Sequence, residues 1–281
     1  MPVLSRFLLC GTTPALGPFT FALLALLVAP PARASVSFSV SPIRVDLSVA
    51  PGETKTDAVM IENRGNEPLR LRVTIADWHL APDGTPVFVK RGSSPADSMS
   101  EWIEVNPTEL DVPPLARMPV RYTVSAPEAT SAGGYHGAIL IESVPEMLAH
   151  DQPTRAYLNA RIGVILYDRI GTVAPEIEIA AQDVVRAVDT PGAMALRVTV
   201  RNIGHVHARF SGSTRVVDGQ GREVELVRIS DAVVLPTSDR QLLVRLTQPL
   251  PRGDFTVVTR LDVGLPELLE AETRVAAPLA P

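Results

Sequence analysis

Short segments in which apolar and polar residues alternate recur along the chain, and they limit its fold more than any other feature. Five of them carry mostly apolar, often β-branched, residues at every second position, and they begin at Leu69, Val120, Leu196, Leu242 and Val257. A period of two places one row of side chains on each face of a strand. No segment sustains the spacing of an amphipathic helix, so the pattern predicts an all-β fold.

Turn-forming sequences separate these segments, among them "APGET", "ENRGNEP", "APDGTP", "DGQGRE" and "LPRGD". Many short strands joined by Gly, Pro and Asn turns are typical of antiparallel sandwiches. The 247 residues from Ser35 onward suit two such units. We therefore predict two Ig-like β-sandwich domains in tandem, over residues 35–171 and 172–281, with the boundary near "RIGTVAPEIEI".

A motif that occurs twice in the sequence favours a duplicated architecture. The segments "VMIENRGNEPLRLRV" and "LRVTVRNIGHVHARF" both read as a strand, then Asn-x-Gly, then a second strand. Asn and Gly tolerate positive φ, so each motif predicts a tight turn in which these two residues adopt positive φ.

The first 34 residues read as a targeting segment. Arg6 precedes the apolar run "FTFALLALLV", and "ARA" ends at Ala34, which is typical of a secretory signal peptide cleaved after Ala34. The run is shorter than the ~20 residues that cross a bilayer. Cys10 lies before the apolar run and not after it, which disfavours a lipoprotein signal. We predict an exported, periplasmic protein without stable membrane insertion.

The charge of the chain excludes several classes of partner. From Ser35 onward there are 24 basic and 31 acidic residues, a net charge of −7, and no cysteine. Without a basic cluster, neither nucleic acid nor an anionic membrane surface is an expected partner. Without cysteine, an exported chain relies on its apolar cores in place of disulfides.

Nothing in the sequence indicates catalysis or a cofactor. Motifs of serine hydrolases, zinc proteases, P-loops and calcium loops are absent. His205 and His207 share one strand face and could bind a metal with a third ligand, but the favoured interpretation places them in solvent beside the "RNIGHVH" turn. His79, His136 and His150 are isolated in the sequence. We predict no enzyme activity, no metal site and no cofactor.

Two features have either a packing or a binding interpretation. Trp78 and Trp102 could anchor a binding surface, although packing in a sandwich core is the favoured use of both. The glycines of "GGYHGAILIESV" are interpreted as easing a bend into a buried strand.

The order of several motifs resembles a known family. "SPIRVDL", "IENRGNEPLRLRVTIADW", "WIEVNPTELDVPPLARMPVRYTV" and "ARIGVILYDRIG" follow one another as in the first domain of periplasmic pilus-assembly chaperones of the PapD type, over about 130 residues. That resemblance implies two Ig-like domains and an ATP-independent chaperone. Such a chaperone caps pilus or surface-fibre subunits with an incomplete Ig-like fold by donating an edge strand, and an outer-membrane assembly protein is implied as a further partner.

The resemblance also implies site residues. Arg44 falls on the first position of a basic pair that anchors the subunit's C-terminal carboxylate. The second position, a lysine in the family, falls on Gly163, and Arg161 on the same strand face is the expected substitute. The donor strand would present Thr154, Ala156 and Leu158, whereas the family usually presents bulky aliphatic residues at these positions.

A second resemblance leaves an alternative open. The glycine-rich "APEATSAGGYHGAILIESVP" is similar to two-domain surface proteins of the WxL-interacting type, whose first domain is thought to bind peptidoglycan. The alternative function is therefore a non-catalytic cell-envelope binding or scaffolding protein that recognises peptidoglycan or a partner protein.

Overall fold

A computed structural model describes residues 37–93, 97–144, 159–187, 193–248, 250–251 and 253–276. Within these ranges the secondary structure consists of seventeen strands and one 3-10 turn at Ser100–Trp102, and no α-helix occurs. None of the described segments is a helix that could span a bilayer.

The first ten strands form two sheets packed face to face. They are β1 (Phe38–Ser41), β2 (Arg44–Leu47), β3 (Thr54–Asn63), β4 (Leu69–Leu80), β5 (Pro86–Lys90), β6 (Ile103–Asn106), β7 (Glu109–Val112), β8 (Arg117–Ser125), β9 (Gly133–Ser143) and β10 (Arg161–Ile170). One sheet has the order β1-β3-β8-β6. The other has the order β2-β10-β9-β4-β5, with β7 also paired to β4.

The remaining strands form a second pair of sheets. They are β11 (Ile177–Arg186), β12 (Met194–Asn202), β13 (Ala208–Asp218), β14 (Glu223–Val234), β15 (Asp239–Arg245), β16 (Asp254–Asp262) and β17 (Leu269–Ala276). Their orders are β11-β12-β15 and β14-β13-β16-β17. The protein thus consists of two Ig-like β-sandwiches in tandem, which confirms the predicted fold class. The strands change from one pair of sheets to the other in the connection between Ile170 and Ile177.

The alternation in the sequence explains the two cores. In β4 the side chains of Leu69, Leu71 and Val73 point into the first core, and the intervening Arg70 and Arg72 are exposed. In β12, β13 and β16 the same period fills the second core. Burying each such side chain contributes about 1.5–3 kcal/mol, so the period of two also fixes the register of each strand.

The two Asn-x-Gly turns are built alike, but not in the predicted way. None of their four Asn and Gly residues has a positive φ. Instead Asn63 is buried, donates to the carbonyls of Glu67 and Val112 at 2.8 and 3.0 Å, and accepts from the Gly65 amide at 2.9 Å.

Asn202 in the second sandwich repeats this pattern. It donates to the Val206 and Val234 carbonyls at 2.8 and 3.3 Å, and it accepts from the Gly204 amide at 2.9 Å. The repeated motif therefore reflects an Asn side chain that forms hydrogen bonds with buried backbone groups, because such groups are costly to leave unpaired.

Candidate binding cleft

Strand β10 has one face in the first core and one face outside it. Val164, Leu166 and Ile170 point inward and are buried in that core. The alternate residues, from Arg161 to Arg169, form the outer face, because successive side chains of a strand point to opposite sides. Only alternate residues of the stretch "IGVIL" therefore pack in the core of the first sandwich.

One edge of β10 is only partly paired. Along its whole length β10 pairs with β9, but on the other side β2 covers it only from Ile165 to Asp168, in a parallel arrangement. The chain before β2 leaves this sheet, since β1 pairs with β3 instead. Among the described residues, no strand pairs with this side of β10 at residues 161–164.

The direction of the hydrogen bonds identifies the groups left open at this edge. The Ile165 amide donates to the Ile43 carbonyl at 3.0 Å, whereas the Ala160 carbonyl accepts from Ser143 on the β9 side at 2.9 Å. Backbone groups of alternate residues point to the same side. The amide and carbonyl of Arg161 and of Gly163 therefore face the open edge, which we call the 161–164 edge.

Arg44 lies where the 161–164 edge ends. It is the first residue of β2 and pairs with Ile165. Arg161 does not lie beside it, because four residues at ~3.3 Å each place it about 13 Å along the strand. Arg161 instead forms an ion pair with Glu142, its partner residue on β9. The structure thus separates the two arginines that the sequence suggested as a pair.

Gly163, the position of the family's lysine, is covered by an aromatic ring. A Cβ atom built on Gly163 would lie 2.5 Å from the Phe88 ring, which is half-buried on β5. Contacts under about 3 Å are strongly repulsive, so the Phe88 ring occupies the space that a side chain here would need. Gly163 therefore packs against Phe88 and supplies no charge to the cleft.

The cation that does lie near Arg44 is Arg209, on β13 of the second sandwich. Both line one cleft together with Ile43, Ile165 and Tyr167.

The two arginines share a carboxylate. Arg209 Nη1 binds both oxygens of Asp231 at 2.9 and 2.8 Å, and Arg44 Nη1 lies 3.4 Å from Asp231 Oδ2. Asp46 is a further acid, with its Oδ2 3.3 Å from Arg44 Nε. Nothing in the spacing of the sequence pairs Arg44 with Arg209, because 165 positions and a change of sandwich separate them.

A small apolar and aromatic cluster joins the two sandwiches at the base of this cleft. It contains Trp78, Ala138 and Tyr167 from the first sandwich and Leu235 from the second. The Trp78 ring meets Tyr167 edge-on at 5.7 Å, and its Nε1 donates to the Gly137 carbonyl at 3.1 Å. The prediction that Trp78 packs in a sandwich core is therefore wrong, because its side chain points out of the first sheet.

Trp102 is placed as the sequence predicts. Its half-buried side chain packs against the first core, and its ring lies 4.6 Å from that of Tyr135.

His207 is buried and not in solvent, contrary to the favoured interpretation. Its ring stacks on Tyr167 at 4.2 Å between centroids. Burial, together with the charges of Arg169 and Arg209, lowers the pKa of His207 to about 4. Burial also raises the pKa of Tyr167 to about 12. Both rings are therefore uncharged at neutral pH and behave as part of an apolar junction.

His136 is also buried, and it is not isolated. One ring nitrogen lies 3.0 Å from the Trp78 carbonyl, and the other lies 3.5 Å from Asp97. Burial lowers the pKa of His136, although Asp97 acts in the opposite direction. Among the described residues, no group of three or more His, Cys, Asp or Glu side chains is arranged to hold a metal ion.

The glycines at the start of β9 allow a close approach of the second sandwich. The Gly134 amide donates to the His205 carbonyl at 2.7 Å. A Cβ atom on Gly134 would lie 2.8 Å from Val206 Cα, so a larger residue would push the two backbones apart. This close approach, and not the predicted bend, accounts for Gly134.

The proposed donor residues Thr154, Ala156 and Leu158 lie outside the described residues, as does His150. The described residues just before β10 remain bonded to β9, because the Ser143 amide donates to the Ala160 carbonyl and the Ala160 amide donates to Ser143 Oγ, both at 2.9 Å.

Comparisons with known proteins give similarity in fold. No family model and no curated protein matches the sequence. Among solved structures, the chaperone–tip adhesin complex of CFA/I fimbriae is 13% identical, with a TM-score of 0.48 over 86% of this chain and 100% of that chain.

The CsuC–CsuE complex of archaic Csu pili from Acinetobacter baumannii is 10% identical, with a TM-score of 0.46 over 85% and 98% of the two chains. The Salmonella enterica SafB chaperone with the SafA pilin is 16% identical, with a TM-score of 0.44 over 86% and 99%. The descriptions of all three structures name a chaperone bound to a tip adhesin or a pilin.

Proposed function

We propose that this protein is an ATP-independent periplasmic chaperone that caps a pilus or surface-fibre subunit by pairing with it along the 161–164 edge. The observation that carries the proposal is the partly covered edge of β10, which ends at Arg44. The function requires no chemical step, since binding alone protects the client.

The backbone of the 161–164 edge supplies the first part of the interaction. Unpaired amides and carbonyls on an accessible strand form a template for another strand. A client that lacks one strand of its own sheet exposes the complementary row of groups, and pairing satisfies both. A strand of four residues presents the amide and carbonyl of Arg161 and Gly163, and the chain before β10 would extend the contact.

Arg44 supplies the second part. Because β2 runs parallel to β10, a client strand in the same direction would reach the start of β2 with its carboxyl end. Its terminal carboxylate would then lie next to the Arg44 guanidinium, whose side chain is 44% exposed. A charge-assisted hydrogen bond at this point would set the register of the client strand.

The experiment separates the backbone of the 161–164 edge from its side chains. The tagged protein is captured from the periplasm of its own host, and mass spectrometry identifies a client recovered in stoichiometric amounts. Arg161→Ala keeps the outward amide, whereas Arg161→Pro removes it and remains tolerable at the first position of a strand.

We expect Arg161→Ala to recover the client as the wild type does. Arg161→Pro should recover it about threefold to tenfold less well, the effect of one lost backbone hydrogen bond. Equal recovery by wild type and both variants, or equal loss in both variants, would contradict strand pairing at this edge.

A further inference from the structure

We infer that a client's terminal carboxylate is held by both sandwiches at once, by Arg44 from the first and by Arg209 from the second. In the free protein, the Asp231 carboxylate occupies that position. The inference rests on the proposed function and names a second cation for its site, in place of the expected Arg161.

Asp231 shows where a carboxylate can contact both arginines. Its Oδ2 lies 2.8 Å from Arg209 Nη1 and 3.4 Å from Arg44 Nη1. Asp231 is 65% exposed, so its carboxylate lies at the mouth of the cleft and not in its floor. The side-chain carboxylate therefore stands in for the chemically equivalent group at the end of a client chain.

The Arg209 guanidinium is held in place by Asp231 and by the Tyr167 ring. Its guanidinium lies 5.8 Å from the centre of the Tyr167 ring, and its side chain is 28% exposed. Its Nε is buried and has no hydrogen-bond partner among the described residues. An arginine held in one orientation loses little further conformational freedom when a ligand binds, so it is suited to recognise a carboxylate.

The contact of Asp231 with Arg44 is weaker than its contact with Arg209. At 3.4 Å between partly exposed groups, the Arg44–Asp231 pair contributes little, and Arg44 also has Asp46 beside it. A terminal carboxylate delivered by a paired strand would compete with Asp231 at a high local concentration. Asp231 therefore acts as an internal competitor that keeps the site closed to free anions.

The test uses two synthetic peptides because the client is unidentified. Both are acetylated hexapeptides of alternating valine and threonine, one with a free C-terminal carboxylate and one with an amide. Their dissociation constants are measured by NMR titration against the wild type and the variants Arg44→Gln, Arg209→Gln, Arg209→Lys and Asp231→Asn. The ratio of the two constants reports carboxylate recognition, and a merely structural defect would change both constants together.

We expect the wild type to bind the free acid about fivefold more tightly than the amide, as two partly exposed arginines allow. This preference should disappear in Arg44→Gln and in Arg209→Gln, return in Arg209→Lys, and increase about threefold in Asp231→Asn.

A preference that persists in Arg209→Gln but disappears in Arg44→Gln would overturn this inference and leave the proposed function standing. Absence of any acid preference in the wild type, or of binding by either peptide, would overturn the carboxylate anchor and this inference together.

Discussion

Arg44→Glu is expected to abolish capture of the client, with recovery at least about tenfold below that of the wild type. Under the proposed function, the substitution removes the charge-assisted contact with the client's terminal carboxylate and replaces it with repulsion, and it also places a negative charge beside Asp46 and Asp231. The measurement is quantitative mass spectrometry of the client captured by each tagged protein. Circular dichroism and thermal unfolding of the purified variant show whether the fold is retained.

Arg117→Glu is the matched control for Arg44→Glu. Arg117 is an exposed strand arginine that also pairs with an acid, Glu62, but it lies in the sheet that does not contain β10. We expect this variant to recover the client as the wild type does. Full recovery by Arg44→Glu, or equal loss in both variants, would contradict the role of Arg44.

A loss of stability in acid is the second large effect. The pKa of His207 is about 4 in the folded protein and near 6.5 when the chain unfolds. The unfolded state therefore binds more protons between these values, so the free energy of unfolding falls as the pH drops through this window. His207 should account for a loss of about 2–3 kcal/mol between pH 7.5 and 4.5.

Denaturant unfolding of His207→Phe at the two pH values measures this loss. Phenylalanine keeps an aromatic ring against Tyr167 and cannot be protonated, so the variant should lose about 2–3 kcal/mol less than the wild type. The raised pKa of Asp168, caused mainly by burial, acts in the opposite direction in both proteins and cancels in the comparison.

The matched control is His205→Phe at the exposed position of the same turn, where the wild-type pH dependence should persist. If His207→Phe does not fold, His207→Gln provides the same comparison. An identical pH dependence in wild type and the His207 variant would contradict the claim that His207 is buried without charge between the two sandwiches.

The alternation of apolar residues was sufficient to predict the fold class. Residues such as Leu71, Tyr122, Val198 and Leu261 lie in the cores as their spacing indicates, because burial enforces a period of two in every strand. The equivalent roles of Asn63 and Asn202 were visible as a repeated motif. The hydrogen bonds of Asn63 and Asn202 could not be predicted, since a buried amide and a positive-φ turn share the same sequence signature.

The junction between the sandwiches was harder to predict. Trp78 and His207 occupy ordinary strand and turn positions, and both are buried where the two sandwiches meet. The same holds for the cleft charges. A motif near the start of the first sandwich marks Arg44 as a candidate, whereas the placement of its neighbour Arg209 depends on how two distant strands meet.

The most direct test of the account is amide hydrogen exchange of the protein with and without its captured client, resolved residue by residue by NMR. Pairing along the 161–164 edge predicts that the outward amides of Arg161 and Gly163 exchange at least about tenfold more slowly in the complex. The amides of Ile162 and Val164, which already face β9, should change little and serve as internal controls. A complex in which Arg161 and Gly163 exchange as in the free protein would contradict the central claim.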